Sequence, residues 1–501
     1  MFLLFLQSDY EARWSPYYLI QFQQEKLGLR VYVNSSFHQL AVDFVSRDAA
    51  LSAMQEQIMK KFSIPYEIYK NYHKGEAPKK VLILGAGTGN DAVVALQNGA
   101  KEITAVDIDP VILELGKKYN MAKPYDDKKV RTVVDDARHF IKSTKEKYDL
   151  IILGTLDSQT LLSGQTNLRL ENYVYTREAF LDMKERLADK GVLGAYYSVF
   201  RDKSSWLFGR LFKTVEEAFG AETKIFIVTN SDFLFNTIIV GTKGISDFSL
   251  AQDSSGAVSP EMAATDDWPF LYLEKPTISP LYLKLFGLIL VLIFGVFLLL
   301  KKLQPADGAK LNFLFLGIGF TLMEAAAIVR LALVFGATWV VNAIVFAAVL
   351  AMIFLANFLV LRKTRIDPAS SRLAGLRGAG TNKHEQNKVG LRNAWIGLGL
   401  AVLVNIFFNV SWLFLLPTFF RVMAAGLLIG LPVYFAATCF SHLFSREKTT
   451  GYALGINLVG AMAGGILEYF SMMFGMRAVW IIVLGVYVLA WGFSRRQIRT
   501  D

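Results

Sequence analysis

The sequence predicts a doubly wound, Rossmann-like α/β domain, with a small β region before it and an all-α polytopic transmembrane domain after it. Over residues 61–245, short apolar runs alternate with helix-compatible stretches. A glycine-rich turn follows the first of these runs, and about seven long apolar stretches follow residue 280. Strands that alternate with helices favour a parallel sheet covered by helices. Apolar stretches of about 18 residues or more are long enough to cross a bilayer.

The composition indicates a membrane-embedded part and does not point to a nucleic-acid partner. Hydrophobic residues make up 53% of the 501 residues, and the net charge is +10. The mean hydropathy of +0.35 is high for a soluble protein. The basic residues cluster at 301–310, at 362–392 and at Arg495–Arg496, beside the apolar stretches. The positive charge therefore belongs to membrane-flanking loops.

Cysteine and histidine usage argues against a disulfide framework and against a metal site. Cys439 is the only cysteine and lies in an apolar stretch, and the five histidines are scattered. Residues 1–7 lack the basic region of a secretory signal. They could be the tail of an upstream membrane helix if the chain is a shortened product.

The first predicted domain is an N-terminal β region over residues 1–60. Short strands fill 13–45, and Gly28 and the run Asn34–Ser36 punctuate them. A helical stretch over 48–72 leads from this region into the α/β domain, which is predicted over 61–245.

The motif around which the chain is organised lies at the start of the α/β domain. An apolar run, Val81–Leu84, ends at the turn Gly85–Gly89; a helix-compatible stretch and a second apolar run that ends at Asp107 follow. This is the order of a nucleotide-binding βαβ unit, in which glycines let a ligand approach the backbone. Asp107 lies about 20 positions after Gly87, where a carboxylate can accept both hydroxyls of a ribose. Because Asn90 stands where a dinucleotide fingerprint has glycine, the turn favours an S-adenosyl ligand over NAD.

The alternation of helices and strands continues to the end of this domain. The predicted helices are 110–120, 137–145, 176–187 and 204–219, and the predicted strands are 130–134, 148–153, 191–199, 223–229 and 235–241. In a doubly wound sheet, ligands bind beyond the carboxyl ends of the strands. The segments that fall there are 85–89, Asp107, Asp135–Asp136 and 154–158.

A linker rich in Ser, Ala, Asp and Pro is predicted over 246–279, and a transmembrane helical domain over 280–501. The apolar stretches lie near 280–300, 312–335, 338–361, 394–416, 420–444, 452–474 and 478–494. The positive-inside rule places the basic loops in the cytoplasm, and a crossing at 280–300 would then place the α/β domain outside. We expect this domain in the cytoplasm, where an adenosyl cofactor is available. The conflict disappears if the stretch with Glu324 and Arg330 enters the membrane and turns back.

Further stretches of the α/β domain carry a family resemblance. They are Val134–Arg138, Tyr148–Ile152 and Tyr175–Phe180, and together with the βαβ unit they make residues 13–240 resemble the spermidine synthase family of polyamine aminopropyltransferases. The fusion to membrane helices is similar to polytopic bacterial membrane proteins that carry a spermidine-synthase-like domain. The resemblance implies a Rossmann-like sheet of the S-adenosylmethionine-methyltransferase type and aminopropyl transfer from decarboxylated S-adenosylmethionine to a diamine. It also implies a multi-pass place in the bacterial inner membrane and a homodimer.

The resemblance assigns site residues as well. Gly85, Gly87 and Gly89 would hold the aminopropyl end of the cofactor, Asp107 the ribose, and Asp136 and Ala137 the adenine, while Tyr17, Gln39 and Tyr175 would bind the acceptor substrate. Asp107 and Asp136 have a structural alternative, because Asp is common at helix N-caps and a helix follows each of them. The expected ligands are S-adenosylmethionine or its decarboxylated form and a polyamine-like molecule, with no metal.

Two departures from the family pattern weaken the predicted chemistry. Active members have an Asp-Ser-Ser-Asp type of loop after the fourth strand; here the loop runs from Gly154 to Asp157, which leaves Asp157 as the predicted catalytic residue. Thr88 replaces an acidic residue of the glycine turn. An amine nucleophile is protonated at neutral pH and needs a base, which typically contributes about 10²–10⁴-fold to the rate. Asp91 or Asp157 could serve as that base.

Three functions therefore stay open: an aminopropyltransferase-like transferase, an S-adenosylmethionine-dependent methyltransferase, and a non-catalytic ligand-binding sensor or transporter. The missing acid at position 154 favours the second and third, whereas the N-terminal β region and Tyr175–Phe180 favour the first. In the membrane part, Glu324, Arg330 and Glu468 could line a polar path or act as interhelical partners. The small-residue run Gly455–Gly465 indicates close helix packing.

Overall fold

A computed structural model of the chain describes residues 10–46, 49–156, 170–197, 206–220, 223–227, 237–244, 261–303, 310–365 and 380–500. These residues fall into two compact units. The first unit ends at Glu274 and also takes in Gly336–Trp339. The second consists of Lys275–Phe335 and of the chain from Val340 onward.

The first unit begins with a four-stranded antiparallel sheet. Its strands pair in chain order and are β1 (Glu11–Trp14), β2 (Leu19–Glu25), β3 (Gly28–Val33) and β4 (Ser36–Val42). Asn34 and Ser35 have positive φ angles of 49° and 67° and form the two-residue turn between β3 and β4. Two positive φ angles are what a tight hairpin turn requires, because they match the twist of the strands. The buried face of the sheet is formed by Ile20, Phe22, Leu29 and Val31.

Seven strands form the central sheet of the first unit: β5 (Lys80–Leu84), β6 (Glu102–Asp107), β7 (Val130–Val134), β8 (Tyr148–Leu153), β9 (Leu187–Tyr197), β10 (Thr223–Ile227) and β11 (Thr237–Thr242). Their spatial order is β10-β11-β9-β8-β5-β6-β7. The strands β5 to β9 pair in parallel, whereas β11 runs antiparallel between β9 and β10. The predicted Rossmann-like class is confirmed, with one antiparallel strand that the alternation did not predict.

Helices cover both faces of this sheet. They are α1 (Ala49–Tyr72), α2 (Asn90–Gln97), α3 (Pro110–Tyr119), α4 (Ala137–Ser143), α5 (Arg177–Arg186) and α6 (Trp206–Phe219). Val81 and Ile83 pack with buried residues of α1 and α2, and Leu82 and Leu84 pack with buried residues of α5 and α6. Successive side chains of a strand point to opposite faces, so a continuous apolar run is the pattern of a strand that is covered on both sides.

Strand β5 marks the point at which the strand order reverses. Strands β6 and β7 lie on one side of it, and β8 and β9 lie on the other. At such a point the carboxyl ends of neighbouring strands border a crevice. The chain leaves β5 at Gly85, β6 at Asp107 and β8 at Leu153. The segments that the sequence places at the ligand-binding edge therefore lie side by side.

The stretch 261–274 packs onto the α/β domain. Arg210 of α6 is 1% exposed, and its guanidinium donates to the backbone carbonyls of Met262, Leu271, Leu273 and Glu274. The guanidinium carbon also lies 4.9 Å from the ring centroid of Trp268, within the range of a cation–π contact. Part of the predicted linker thus has a fixed place in the first unit, whereas the predicted domain boundaries stay predictions.

The second unit is built of helices. They are α7 (Pro280–Leu303), α8 (Leu311–Phe335), α9 (Trp339–Arg365), α10 (Gly380–Phe407), α11 (Thr418–Phe444), α12 (Thr450–Leu467), α13 (Ser471–Phe474) and α14 (Met476–Thr500). Seven segments within the described residues are long and apolar enough to cross a membrane, by length and composition. They overlap the seven predicted stretches. Helix α8 is continuous through Glu324 and Arg330, so a turn back within this stretch does not remove the conflict with the positive-inside rule.

Helices α8 and α12 approach each other through small residues. A Cβ built at Gly317 would lie 2.0 Å from the carbonyl oxygen of Asn457, and one built at Gly460 would lie 2.0 Å from that of Leu314. Only glycine permits such contacts of backbone against backbone. The close helix packing predicted for the run Gly455–Gly465 is present in this helix pair.

Arg330 of α8 is an interhelical partner. Its guanidinium donates to the carbonyl oxygens of Asn405 and Phe408, at the end of α10, and to Oδ1 of Asn405 at 3.2 Å. The side-chain amide of Asn405 donates in turn to the carbonyl oxygen of Leu428 in α11 at 2.8 Å. These contacts join three helices and satisfy carbonyl groups that a helix end leaves without a partner. They support the structural interpretation of Arg330.

Candidate functional site

The turn between β5 and α2 requires its glycines. Gly85, Gly87 and Gly89 have φ angles of 79°, 54° and 102°, in the left-handed region that side chains disfavour. A Cβ at Gly85 would lie 2.0 Å from Cδ2 of Leu156, and one at Gly87 would lie 2.4 Å from Oε1 of Gln39. The predicted glycines therefore form one wall of the crevice, and neighbouring side chains pack directly against it.

Every backbone N–H group of residues 85–89 is engaged within the protein. The N–H groups of Gly85 and Ala86 donate to the carbonyl oxygen of Val106 at 2.9 Å, and that of Gly89 donates to Ala86 at 3.0 Å. The N–H of Gly87 donates to Oδ2 of Asp107 at 2.8 Å, and that of Thr88 to Oε1 of Gln39 at 2.9 Å. A diphosphate is bound in Rossmann domains by glycine-turn amides and the following helix N-terminus. In residues 85–89, the backbone N–H groups already donate to acceptors within the protein.

The carbonyl oxygens of the turn are held as well. The hydroxyl of Tyr125 donates to the carbonyl oxygens of Ala86 at 3.0 Å and Gly87 at 2.8 Å. The side-chain amide of Asn120 donates to the carbonyl oxygen of Thr88 at 2.9 Å. Polar side chains thus fix both edges of the turn, and none of these contacts was predicted.

Asp107 faces the glycine turn. Besides the bond from Gly87, its Oδ1 accepts the N–H of Asp109 at 2.9 Å. Burial raises the pKa of Asp107 to about 6, and the backbone hydrogen bonds from Asp109 and Gly87 oppose this rise. The N-cap of α3 is Asp109, whose side chain accepts the N–H of Val111, so the N-cap alternative does not apply to Asp107. Its predicted contact with a ribose stays a prediction.

Asp136 is the N-cap of α4 and accepts the N–H of His139 at 2.9 Å. The structural alternative is therefore realised at this position, and the contact of Asp136 and Ala137 with an adenine stays a prediction. Burial raises the pKa of the Asp136 carboxyl, against the hydrogen bond from His139. Ala137 is partly buried against the apolar core on that face of the sheet.

Tyr17 lies among the carboxylates at the strand ends. Burial raises the pKa of Tyr17 to about 12, and the negative charges of Asp109, Asp136, Asp135 and Asp107 add to the rise. The half-buried phenol of the N-terminal sheet therefore shares an environment with the predicted ribose and adenine residues. Its predicted role in acceptor binding stays a prediction.

Two amide side chains attach the N-terminal sheet to the glycine turn. Gln39 accepts both the N–H and the hydroxyl hydrogen of Thr88, the latter at 3.0 Å. Asn90 accepts the N–H of Val42 at 3.0 Å and donates to the carbonyl oxygen of Leu40 at 2.7 Å. Gln39, predicted as a substrate residue, thus contacts the turn itself. Asn90 stands where a dinucleotide fingerprint has its third glycine. Its side-chain amide forms hydrogen bonds to the backbone of β4, as a neighbouring strand would.

The position of the missing acid is closed to any side chain. A Cβ built at Gly154 would lie 2.7 Å from the carbonyl oxygen of Gly85 and 3.3 Å from that of Leu84. Tyr175, 2% exposed, accepts the N–H of Leu156 at 3.0 Å and so holds the segment that follows β8. Asp157, the predicted catalytic residue, lies outside the described residues.

Asp91 brings a carboxylate to the same place. It lies in the first turn of α2, is 8% exposed, and its Oδ2 is 3.6 Å from the Cβ position of residue 154. Burial raises the pKa of Asp91 to about 7. Asp91 is one of the two possible bases predicted from the sequence, but no sequence pattern indicates that it lies beside Gly154, because the two residues are far apart in the chain.

The described residues contain no group of three or more His, Cys, Asp or Glu side chains that could hold a metal ion.

Residues 62–230 match the family model of the spermine/spermidine synthase domain. The chain is similar to polyamine aminopropyltransferases from several organisms. That of Korarchaeum cryptofilum is 31% identical over 147 residues, which are 29% of this chain and 43% of the relative. That of Thermoplasma volcanium is 28% identical over 26% of this chain and 43% of the relative, and that of Saccharolobus solfataricus is 36% identical over 23% and 37%. The chain thus spans less than half of the length of these relatives.

Two solved structures are also similar to part of the chain. Spermidine synthase from Thermotoga maritima is 17% identical with a TM-score of 0.36, and the match covers 47% of this chain and 72% of that one. A probable spermidine synthase from Corynebacterium glutamicum is 16% identical with a TM-score of 0.37, and the match covers 48% and 83%. From the sequence match, residues 62–230 are a spermine/spermidine synthase domain.

Proposed function

We propose that the chain is a membrane-anchored, aminopropyltransferase-like transferase that binds decarboxylated S-adenosylmethionine, or S-adenosylmethionine, and an amine acceptor of the polyamine class. The observation that carries the proposal is the Asp107 carboxylate, which faces a glycine turn at the edge of a spermine/spermidine synthase domain. The polyamine aminopropyltransferases to which the chain is similar support the reaction class.

The electrostatics of the crevice favour a cationic adenosyl ligand over a phosphate-bearing one. The amides of residues 85–89 have protein partners, which argues against a bound diphosphate. Asp91, Asp107 and Asp135 bring negative charge to the strand ends, and such charge attracts a sulfonium ion and repels phosphate. When bound, the sulfonium activates a methylene carbon for attack by an amine.

Each site residue then has a defined task. Asp107 accepts the hydroxyls of the ribose, and the start of α4, at Asp136–Ala137, contacts the adenine. The glycine turn, held by Gln39, borders the aminopropyl end. Tyr17 and Tyr175 contact the acceptor amine. A neutral amine is the nucleophile, so a base must accept a proton from it.

One observation favours methyl transfer as a second candidate function. Gly154 has no space for the acid that the spermidine synthase pattern carries at this position. A methyltransferase uses the same adenosyl crevice and needs no acid for binding a diamine.

The α/β domain is proposed to lie in the cytoplasm, in a bacterial inner-membrane protein anchored by the seven candidate spans. Adenosyl cofactors are made and used in that compartment. The basic loops would place it on the other side by the positive-inside rule, and we give cofactor supply more weight than loop charge.

The test uses the full chain purified in detergent. Decarboxylated S-adenosylmethionine with a label in its aminopropyl group is incubated with putrescine, and we expect a labelled triamine. In parallel, methyl-labelled S-adenosylmethionine is incubated with the same acceptor. Labelled methyl product without aminopropyl product would favour the methyltransferase. Binding of either adenosyl ligand in calorimetry without any transfer would contradict both and favour a non-catalytic role.

A further inference from the structure

We propose that Asp91 accepts the proton of the attacking amine, in place of the acid that the family pattern carries at position 154; this proposal rests on the proposed function. Asp91 belongs to the first turn of α2, whereas the acid of the pattern would stand at the end of β8. The proposed carboxylate therefore comes from α2 instead of β8, and it lies beside position 154.

The two positions share one space. The Oδ2 atom of Asp91 lies 3.6 Å from where a Cβ of residue 154 would be. Position 154 itself is closed by the carbonyl oxygen of Gly85, 2.7 Å from the same Cβ position. Gly154, which has no side chain, therefore leaves space for the carboxylate that Asp91 supplies.

The surroundings of Asp91 suit a base that works near neutral pH. Burial holds its pKa at about 7, so that the carboxylate is partly ionised at pH 7 and its conjugate acid releases a proton readily. The titratable groups that its charge influences are Tyr66 on α1, Tyr196 on β9 and Tyr125 before β7. Burial, together with nearby carboxylates, raises the pKa of each of these tyrosines well above 10, so they stay neutral. The groups of this neighbourhood that titrate near neutral pH are then Asp91 and, at about pH 6, Asp107.

In the proposed step, one bond to the methylene carbon forms as another breaks. The nitrogen of the neutral amine forms a bond to the methylene carbon as the bond from that carbon to the sulfonium sulfur breaks. The electron pair of the broken bond stays on sulfur, which becomes a neutral thioether. The nitrogen, now positively charged, passes one proton to the Asp91 carboxylate, which later releases it to solvent. No oxidant or metal takes part in this balance.

The experiment compares the full-length wild type with Asp91→Asn and with the matched control Asp126→Asn, whose side chain is exposed. Turnover of labelled decarboxylated S-adenosylmethionine with putrescine gives kcat and KM from pH 5.5 to 9, and calorimetry gives the affinity for the adenosyl ligand. We expect Asp91→Asn to lower kcat about 10²–10⁴-fold, the range of a lost general base, with the adenosyl affinity kept. The wild-type kcat should fall below pH 7, and this acid limb should be absent from Asp91→Asn. Asp126→Asn should match the wild type.

A second variant separates proton transfer from structure. Asp91→Ala leaves a space beside Gly154, and added formate should restore part of its turnover, which a merely structural role would not allow. Three results would each overturn the role of Asp91 and leave the proposed function standing. They are wild-type turnover in Asp91→Asn, loss of adenosyl binding together with kcat in that variant, and no effect of formate on Asp91→Ala. A wild type that transfers no aminopropyl group would overturn the proposed function itself, and the role of Asp91 with it.

Discussion

At the scale of single residues, Asp107 does two things with one carboxylate. It fixes the glycine turn through Gly87 and stays at the edge of the crevice where a ribose would lie. Since each carboxylate oxygen can accept more than one hydrogen bond, the contacts to Gly87 and Asp109 leave capacity for two hydroxyls. The sequence distance from the turn predicted this residue, because the βαβ unit fixes where the second strand ends.

Binding of the adenosyl ligand should depend on the ionisation of Asp107. Burial raises its pKa from 3.8 to about 6, so the carboxyl is protonated below pH 6 and ionised above it. An ionised carboxylate accepts hydroxyl hydrogen bonds more strongly, and the affinity should therefore increase as the pH rises from 5 to 7. Asp107→Asn should weaken binding about 10–100-fold, the equivalent of one or two charged hydrogen bonds. Calorimetry at several pH values checks both effects; an affinity of the wild type that is flat between pH 5 and 7 would contradict them.

Replacing Gly154 by aspartate should not restore the family's chemistry. The Cβ alone would come within 2.7 Å of the carbonyl oxygen of Gly85, so the glycine turn must move. We expect Gly154→Ala and Gly154→Asp to be similarly destabilised, by about 1–3 kcal/mol, as for other overpacked sites. The apparent melting temperature of each variant is the measurement, and Gly451→Ala provides a control at an exposed glycine whose Cβ would meet no atom within 4 Å. A melting temperature of Gly154→Ala equal to that of the wild type would show that the turn yields freely.

At the scale of elements, the N-terminal sheet is attached to the crevice by two side chains, Gln39 and Asn90. We expect Asn90→Gly, which restores the glycine of a dinucleotide fingerprint, to lose two hydrogen bonds to β4 and about 1–3 kcal/mol of stability. It should not gain NAD binding, because the amides of residues 85–89 keep their protein partners. Thermal unfolding and calorimetry with NAD measure the two effects. Tight binding of NAD by this variant would refute the argument from the engaged amides.

Elements were predictable where local pattern decides them. Apolar runs identified central strands such as β5 and β8, and glycines identified the turn after β5. The antiparallel placement of β11 between β9 and β10 was not predictable, because strand direction depends on pairing across the sheet and leaves no period in the sequence. The packing of 261–274 against Arg210 was missed for a similar reason. Its composition is that of a linker, and its place depends on a buried guanidinium that comes from another part of the chain.

At the scale of the whole molecule, the side of the membrane that the α/β domain occupies can be measured with one introduced thiol. Cys439, the natural cysteine, is fully buried, so background labelling should be low. Lys128→Cys places a thiol at an exposed position of the first unit. If the domain is cytoplasmic, a membrane-impermeant maleimide should label this variant only after the cells are permeabilised. Labelling of intact cells would place the domain outside and support the charge rule.

The number of candidate membrane spans among the described residues was predictable, because about 20 apolar residues in series can be counted along the chain. The path of α8 was not. The polar residues Glu324 and Arg330 made this stretch the weakest candidate span, yet Arg330 has partners at the end of α10 and the helix continues. The role of a charged residue in an apolar helix depends on the groups that it contacts, and the sequence alone does not identify those groups.

The hydrogen bonds within the glycine turn affect how tightly a ligand can be bound. A loop whose amides and carbonyls are satisfied before a ligand arrives has little conformational freedom left to lose. The part of the entropic penalty of association that comes from ordering this loop should then be small. Selectivity between ligands would then come from the side chains that lie beside the turn, Asp91 among them.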